Sequence, residues 1–419
     1  MPSTRCNFKR THYPNRTVLC LSGAIEHPSS SNQPPGNPAL TALLRAEIAA
    51  GGPVPFRRFM ELALYHPQHG YYASGRAAIG RHGDFFTNVS VDALFGKLLA
   101  TQFAEMWERL GKPHEFSIVE QGAHHGDLAR DVLDAARGDA PEFFDAIRYA
   151  IVEPFDPLRA RQGETLRTLA GTKVSWHASL AELKPFTGVH FSNELLDALP
   201  VHPVVFLDGA WRERRVDFQN ARFVFNDDAP PHDALRGRLE KIAPPRIEGY
   251  TTEVSLDALD WIDALAAKLA RGFALAVDYG HARGVFYDAS RTSGTLSCYA
   301  RHRRGDDPLQ AIGEADITAH VEFTSLAERA ESRGLTLAGF TDQHHFTVGL
   351  GARIFRDSDD DSPERRQQMR AFKTLMHPNL MGQAFKVLAF AKNVAPSGPL
   401  AGFQFGSDPR AALGLSPKT

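Results

Sequence analysis

Phe116-Ser-Ile-Val-Glu-Gln-Gly-Ala-His-His-Gly-Asp-Leu-Ala-Arg-Asp-Val-Leu133 is the stretch on which the fold turns. Its apolar run (Phe116, Ile118, Val119) ends in Glu120; a loop bracketed by Gly122 and Gly126 follows, then an amphipathic segment through Leu128, Val132 and Leu133. Strand, glycine loop and helix in that order bring backbone N–H groups close to a nucleotide-like ligand in α/β proteins. A dinucleotide site wants three glycines, so that backbone can approach a pyrophosphate. Only two stand here, and Asp127 opens the helix, where a carboxylate repels phosphate. That argues against a nicotinamide-dependent oxidoreductase. It suits a ligand that lacks phosphates and carries positive charge, such as S-adenosylmethionine with its sulfonium and amino groups. Glu153, closing the next apolar run, is placed to accept hydrogen bonds from two ribose hydroxyls.

On both sides of this stretch the pattern alternates. Tyr149–Val152, Val174–Trp176 and Val189–Phe191 read as strands, with helices over Asp127–Ala136 and Pro157–Leu169 between them. Strands alternating with helices predict a parallel sheet covered on both faces. Val204–Phe206, Trp211–Phe218 and Arg222–Phe225 interrupt the alternation as antiparallel strands, so residues 208–265 read as an insertion covering the ends of the sheet. Gly272–Asp278 resumes a buried strand; the helix Phe323–Arg333, a short strand Thr336–Ala338 and a closing strand Phe385–Phe390 follow. The expected organisation is a disordered tail (1–38), an N-terminal helical region (39–110), two halves of the α/β domain (111–207 and 266–393) around the insertion, and a Pro-, Gly- and Ser-rich tail (394–419). The acidic run Asp357–Asp361 before Ser362-Pro363-Glu364 reads as a helix cap complementing the dipole.

Composition narrows the class of protein. The chain has 419 residues, 43% hydrophobic and 23% charged, with a formal net charge of −2. These values give a sizeable core and no global attraction to nucleic acid. Three cysteines, Cys6, Cys20 and Cys298, are too few and scattered for a disulfide framework or a zinc site, which fits a reducing compartment. No apolar run approaches the ~18 residues of a membrane span. A cytoplasmic location is expected; the basic N-terminal segment (Arg5, Lys9, Arg10, Arg16), read as a presequence, makes the mitochondrial matrix the alternative. His124-His125 and His344-His345 lack a ligand spacing, so no metal is expected, and His202 and His320 read as structural hydrogen-bonders.

The segment Ser192-Asn-Glu-Leu-Leu-Asp-Ala-Leu-Pro-Val-His202 opens at the carboxyl end of a predicted buried strand, the edge where ligands lie in open α/β sheets. Glu194 and Asp197, three apart, could share one helical face and grip a guanidinium bidentately. A solvated helix start capped by Ser192 or Asn193 explains the same residues.

Together with this segment, several others resemble the MidA family of S-adenosylmethionine-dependent methyltransferases, whose mitochondrial members act as complex I assembly factors. They are Gly70-Tyr-Tyr72, Gly83-Asp-Phe-Phe-Thr87, Phe95-Gly96, Val119-Glu120 with Gly122 and Gly126, Gly249-Tyr250, Glu253-Val254, Asp278-Tyr-Gly280, Ser293-Gly-Thr-Leu296, Asp307-Pro308, Asp316-Ile-Thr-Ala-His320, Gly339-Phe-Thr341 and Phe385-Lys-Val-Leu388. Their order covers roughly residues 40 to 393. The resemblance implies a class I methyltransferase fold: a Rossmann-like, seven-stranded α/β sheet with an added substrate-covering region. It implies protein arginine N-methylation of a respiratory complex I subunit. It also places Gly83, Asp84, Thr87, Glu120, Gly122, Gly126 and Glu153 at the cofactor, and Asn193, Glu194 and Asp197 at the reacting group. The chain departs from the family pattern at His124, where the family has glycine, and at Val89-Ser90, where it has proline-glutamate. These departures make a weakly active or inactive assembly factor that keeps the fold the alternative.

Overall fold

The computed structural model describes residues 36–74, 88–89, 91–169, 171–300, 303–305, 307–355 and 362–417. The expectations for the first 35 residues, for Gly83, Asp84, Thr87 and Ser90, and for Asp357–Asp361 lie outside them.

In chain order the principal strands are β1 (Phe116–Gln121), β2 (Ile147–Val152), β3 (Val174–His177), β4 (Phe186–Asn193), β5 (His202–Leu207), β6 (Ala210–Gln219), β7 (Arg222–Ala229), β8 (Thr251–Val254), β9 (Leu269–His281), β10 (Thr336–Asp342) and β11 (Phe385–Lys392). The main sheet runs β10-β11-β9-β4-β1-β2-β3, and the two-residue strand Val321–Glu322 pairs with the end of β9. From β9 to β3 every pairing is parallel, whereas β11 is antiparallel to both its neighbours. The strand order reverses between β1 and β4, the switch point at whose carboxyl edge a crevice opens.

Neighbouring residues of these strands feed opposite cores, as the period of two requires. Ile118 packs with the helices Leu94–Arg109 and Asp127–Asp139, while Val119 packs with the helices Asp257–Lys268 and Phe323–Ser332 on the other face. The predicted parallel sheet covered on both faces is therefore present.

A second sheet stands apart. β5, β6, β7 and β8 form it with Val54–Pro55, all antiparallel. Leu40, Leu44, Phe56, Phe59 and Met60, from the helices Pro38–Gly51 and Phe56–Tyr65, share a core with Val216 of β6 and with Ile312 and Ile317. The N-terminal helices thus build the cover with the inserted strands, while Leu94–Arg109 belongs to the main core.

The segment from Ala395, expected as a tail, is packed. Leu400, Ala401 and Phe403 are buried, and the Phe403 ring meets Phe346 edge-on at 5.4 Å. The Ala401 and Gly402 N–H groups donate to Glu105 Oε2 (2.9 Å) and Gln102 Oε1 (3.0 Å), two buried acceptors on the helix Leu94–Arg109. A Pro- and Gly-rich composition reads as flexible, yet these long-range hydrogen bonds and apolar contacts order it.

Candidate functional site

A cavity of about 670 Å³ opens at the carboxyl ends of β1, β2 and β4. Adjacent strands are ~4.8 Å apart, so the ends of β2 and β4, on either side of β1, stand roughly 10 Å from each other. The described lining carries eight Asp or Glu residues against a single arginine, Arg130.

The glycine turn forms one wall. Gly122 and Gly126 have φ of 81° and 82°, the left-handed region that glycine enters without steric cost, and Gly126 caps the helix Asp127–Asp139. His124, between them, is also left-handed at φ 47°, at a cost of about 1 kcal/mol or more for a residue with a Cβ. Its ring stacks on His125 with centroids 3.6 Å apart. Asp127 lines the cavity but pairs with Arg130 at 2.8 Å.

Two acids flank this turn. Glu120, at the end of β1, is buried and accepts from the Tyr149 hydroxyl at 2.8 Å. Burial pushes its carboxyl up to about 7, with the Tyr149 hydrogen bond pulling the other way. Glu153, just past β2, accepts from the Phe155 N–H and from Gln162 Nε2, each at 3.1 Å, and burial raises it to about 7 as well. Gln162, on the helix Asp156–Thr165 and fully buried, also donates to the His124 carbonyl (2.9 Å) and accepts from Trp176 Nε1 (2.9 Å). This one amide ties the turn, the β2 acid and β3 together. Nothing in its local sequence singled it out, because its partners come from three distant segments.

On the β4 side the chain does not enter a helix. Glu194 takes a left-handed φ of 53°, and residues 194–199 form a turn. The expected helical face for Glu194 and Asp197 is thus replaced by a turn held from outside. Asp278 Oδ2, at the end of β9, accepts from the N–H groups of Leu195 (3.2 Å), Leu196 (2.7 Å) and Asp197 (3.4 Å), while its Oδ1 accepts from Tyr279 N–H (2.8 Å). A carboxylate satisfying three turn donors replaces the hydrogen bonds a helix would have made. Asn193 accepts from Asn88 Nδ2 (2.7 Å) and donates to Glu194 Oε1 (3.2 Å).

Glu194 and Asp197 therefore face the cavity beside Asp316, with Asp278 buried behind their turn. Burial, then repulsion from Asp278, holds both the Glu194 and Asp197 carboxyls well above the usual carboxylate range. Burial raises Asp278 itself to about 7, against the pull of its backbone hydrogen bonds. Tyr65 and Tyr72 close this end: the Tyr72 hydroxyl donates to Asp316 Oδ1 (2.7 Å), and that of Tyr65 to the Ala198 carbonyl (2.9 Å). Their rings stack 5.7 Å apart, and Tyr65 faces Phe155 at 6.5 Å. Tyr72, Asp278 and Asp316 occur in the recognised motifs, but their partners became visible only on folding.

Glu253 and Ser293–Leu296, also among the motifs, serve the cover. The buried Glu253 carboxylate accepts from Thr295 N–H and Oγ1, both at 2.9 Å.

Sheet order, left-handed glycine turn and acids at the ends of β1 and β2 define a class I S-adenosylmethionine-dependent methyltransferase. The cavity fits that cofactor in size, and its acidic lining suits a ligand bearing a sulfonium and an ammonium. Sequence comparison agrees: residues 98–341 match the Methyltransf_28 family of S-adenosyl-L-methionine-dependent methyltransferases. The chain belongs to this MidA-like methyltransferase family. It is 30% identical to the Drosophila melanogaster "Protein arginine methyltransferase NDUFAF7 homolog, mitochondrial", over 87% of this chain and 88% of the relative. With the Homo sapiens "Protein arginine methyltransferase NDUFAF7, mitochondrial" it shares 29% identity, over 86% of each. Among solved structures, a COG1565 superfamily member from Burkholderia thailandensis bound to S-adenosyl-homocysteine superposes with a TM-score of 0.80. That protein is 36% identical, covering 89% of this chain and 96% of its own. No helix among the described residues is long and apolar enough to cross a membrane.

Proposed function

We propose that the protein methylates a guanidinium nitrogen of an arginine on a protein substrate. The observation that carries this reading is the group of cavity-lining carboxyls, the half-buried Glu194 with the buried Asp197 and Asp316, backed by Asp278 and walled by Tyr65 and Tyr72. In the ligand-free cavity burial and the neighbouring acids disfavour the charged forms of Glu194 and Asp197. An entering guanidinium supplies the countercharge that lets them ionise, so substrate binding releases protons. The ionised pair then grips the guanidinium bidentately and turns one nitrogen toward the cofactor. Asn193 orients Glu194 rather than touching substrate.

Glu120, Gly122, Gly126 and Glu153 would hold the cofactor, with Gly83, Asp84 and Thr87 as the resemblance implies. When bound, S-adenosylmethionine supplies a methyl group on a positively charged sulfur, a leaving group that needs no acid. The nitrogen–carbon bond forms as the carbon–sulfur bond breaks, and the proton that the nitrogen sheds passes to Glu194 or Asp197. Holding the nitrogen in line about 3 Å from the carbon is the protein's main task.

The test is methyl transfer to arginine and lysine peptides by purified protein. Arginine is modified and lysine is not; Glu194→Gln lowers the rate by ~100-fold or more and leaves cofactor affinity within a few-fold. Lysine modification, or an unaffected Glu194→Gln, overturns the assignment. The left-handed His124 in the cofactor turn favours a second reading, a cofactor-binding assembly factor without turnover. Calorimetric binding of S-adenosylmethionine with no transfer to any arginine substrate would establish it.

The resemblance makes a respiratory complex I subunit the proposed substrate. The mitochondrial names of the animal relatives support the matrix over the cytoplasmic expectation. Fusion of the first 38 residues to a reporter, followed by fractionation, checks the location.

A further inference from the structure

We propose that His202, Glu213 and His232 form a divalent-cation site of the zinc class in the covering region, separate from the methyl-transfer cavity. None of the three lines that cavity. His202 opens β5, Glu213 lies on β6, and His232 immediately precedes the helix Asp233–Ile242. In the antiparallel pairing of β5 with β6, Val204 stands opposite Glu213. His202, two residues before Val204, shares its face, so the imidazole reaches diagonally toward the carboxylate. That face also receives the helix, whose Leu235 and Leu239 pack with Val204 and Val254 and so bring His232 over the pair.

One donor atom from each residue lies within 4.8 Å of the other two. His202 Nδ1 and Glu213 Oε1 are 3.0 Å apart. Bonds of ~2.0–2.2 Å put tetrahedral zinc ligands roughly 3.3–3.6 Å from one another. A swing of the exposed His232 ring, whose centroid is 5.0 Å from that of His202, supplies the closure needed.

A second observation points to a missing ligand. Glu213 is 1% exposed, yet its Oε2 has no hydrogen-bond partner among the described residues. Such an atom is costly to leave bare. Arg215 Nη2 stands 3.5 Å from this oxygen, and its side chain is 34% exposed, so it can leave for solvent as a cation enters. His232, though preceding the helix, makes no side-chain cap. Being exposed, it provides both an entry path and a water-filled fourth position. Two imidazoles and one carboxylate select borderline metals such as zinc over calcium or magnesium. A bound ion would pin the start of β5, which continues from the turn carrying Glu194 and Asp197.

The experiment uses untagged full-length protein stripped with a chelator, then titrated with Zn²⁺ by calorimetry and with Co²⁺ by visible absorption. The expected result is one equivalent bound with a tetrahedral Co²⁺ spectrum and a raised melting temperature. His232→Ala, at an exposed position, should fold normally and bind at least about tenfold more weakly. Arg215→Ala, which removes the competing cation, should bind more tightly. Binding unchanged in His232→Ala, or no stoichiometric uptake by the parent protein, would overturn the site and leave a His–Glu–Arg ion cluster.

Discussion

On the β2 flank of the cavity Glu120 and Glu153 each have their own partners, Tyr149 for one and Gln162 with the Phe155 N–H for the other. On the β4 flank Glu194, Asp197 and Asp278 lie against one another. Burial raises the carboxyls on both flanks, to about 7 for Glu120 and Glu153 and well above the ordinary range for Glu194 and Asp197. The difference is repulsion. An isolated buried acid answers to local hydrogen bonds, whereas a cluster answers to the cation that enters it. The first flank suits a neutral ribose and the second a guanidinium.

The two flanks part most sharply at Asp278. Asp278→Ala leaves three turn N–H groups without their acceptor, and should cost about 3 kcal/mol in urea unfolding. Cofactor affinity should hold while arginine-peptide affinity collapses; equal losses on both would show that the flanks are not independent.

Titration separates the flanks next. Each carboxyl that ionises on binding adds up to ~10-fold in affinity per pH unit, so an arginine peptide should bind more tightly as pH rises through the raised range of Glu194 and Asp197. Calorimetry in buffers of different ionisation enthalpy would register the released protons. Glu120 gives the complementary stability effect in ligand-free protein. Its folded value of about 7 lies above the ordinary 4.5. Its contribution is therefore complete below about 4.5 and is lost as pH rises through about 7, by up to ~3 kcal/mol. Glu120→Gln should remove that slope from the stability profile.

Gln162→Leu keeps the volume but removes the amide joining Glu153, the His124 carbonyl and Trp176. Cofactor affinity should fall by ~10-fold, with stability down ~1–2 kcal/mol. A larger effect on peptide affinity than on cofactor affinity would move Gln162 to the other flank's account. The smallest change is expected from His124→Gly. Relief of the left-handed backbone is offset by the entropy glycine loses on folding, so melting should shift by less than ~1 kcal/mol equivalent. A marked gain in cofactor affinity would instead mean that the imidazole obstructs the turn.

Local pattern was enough for the strand–glycine–helix unit, the alternating elements and the acids at strand ends, because periodicity and turn chemistry act over a few residues. Gly122, Gly126, Glu120 and Glu153 were readable on those grounds. Folding decided the rest. It set Glu194 and Asp197 on a turn because Asp278, some eighty residues away, supplies the acceptor for the N–H groups of Leu195, Leu196 and Asp197. It drew the C-terminal segment into the core through Gln102 and Glu105, although its composition reads as a tail. It also joined the N-terminal helices to the inserted strands. Burial and charge proximity are properties of the assembled chain, so the electrostatic character of the site, unlike its residue types, exists only once β1, β4 and β9 stand side by side.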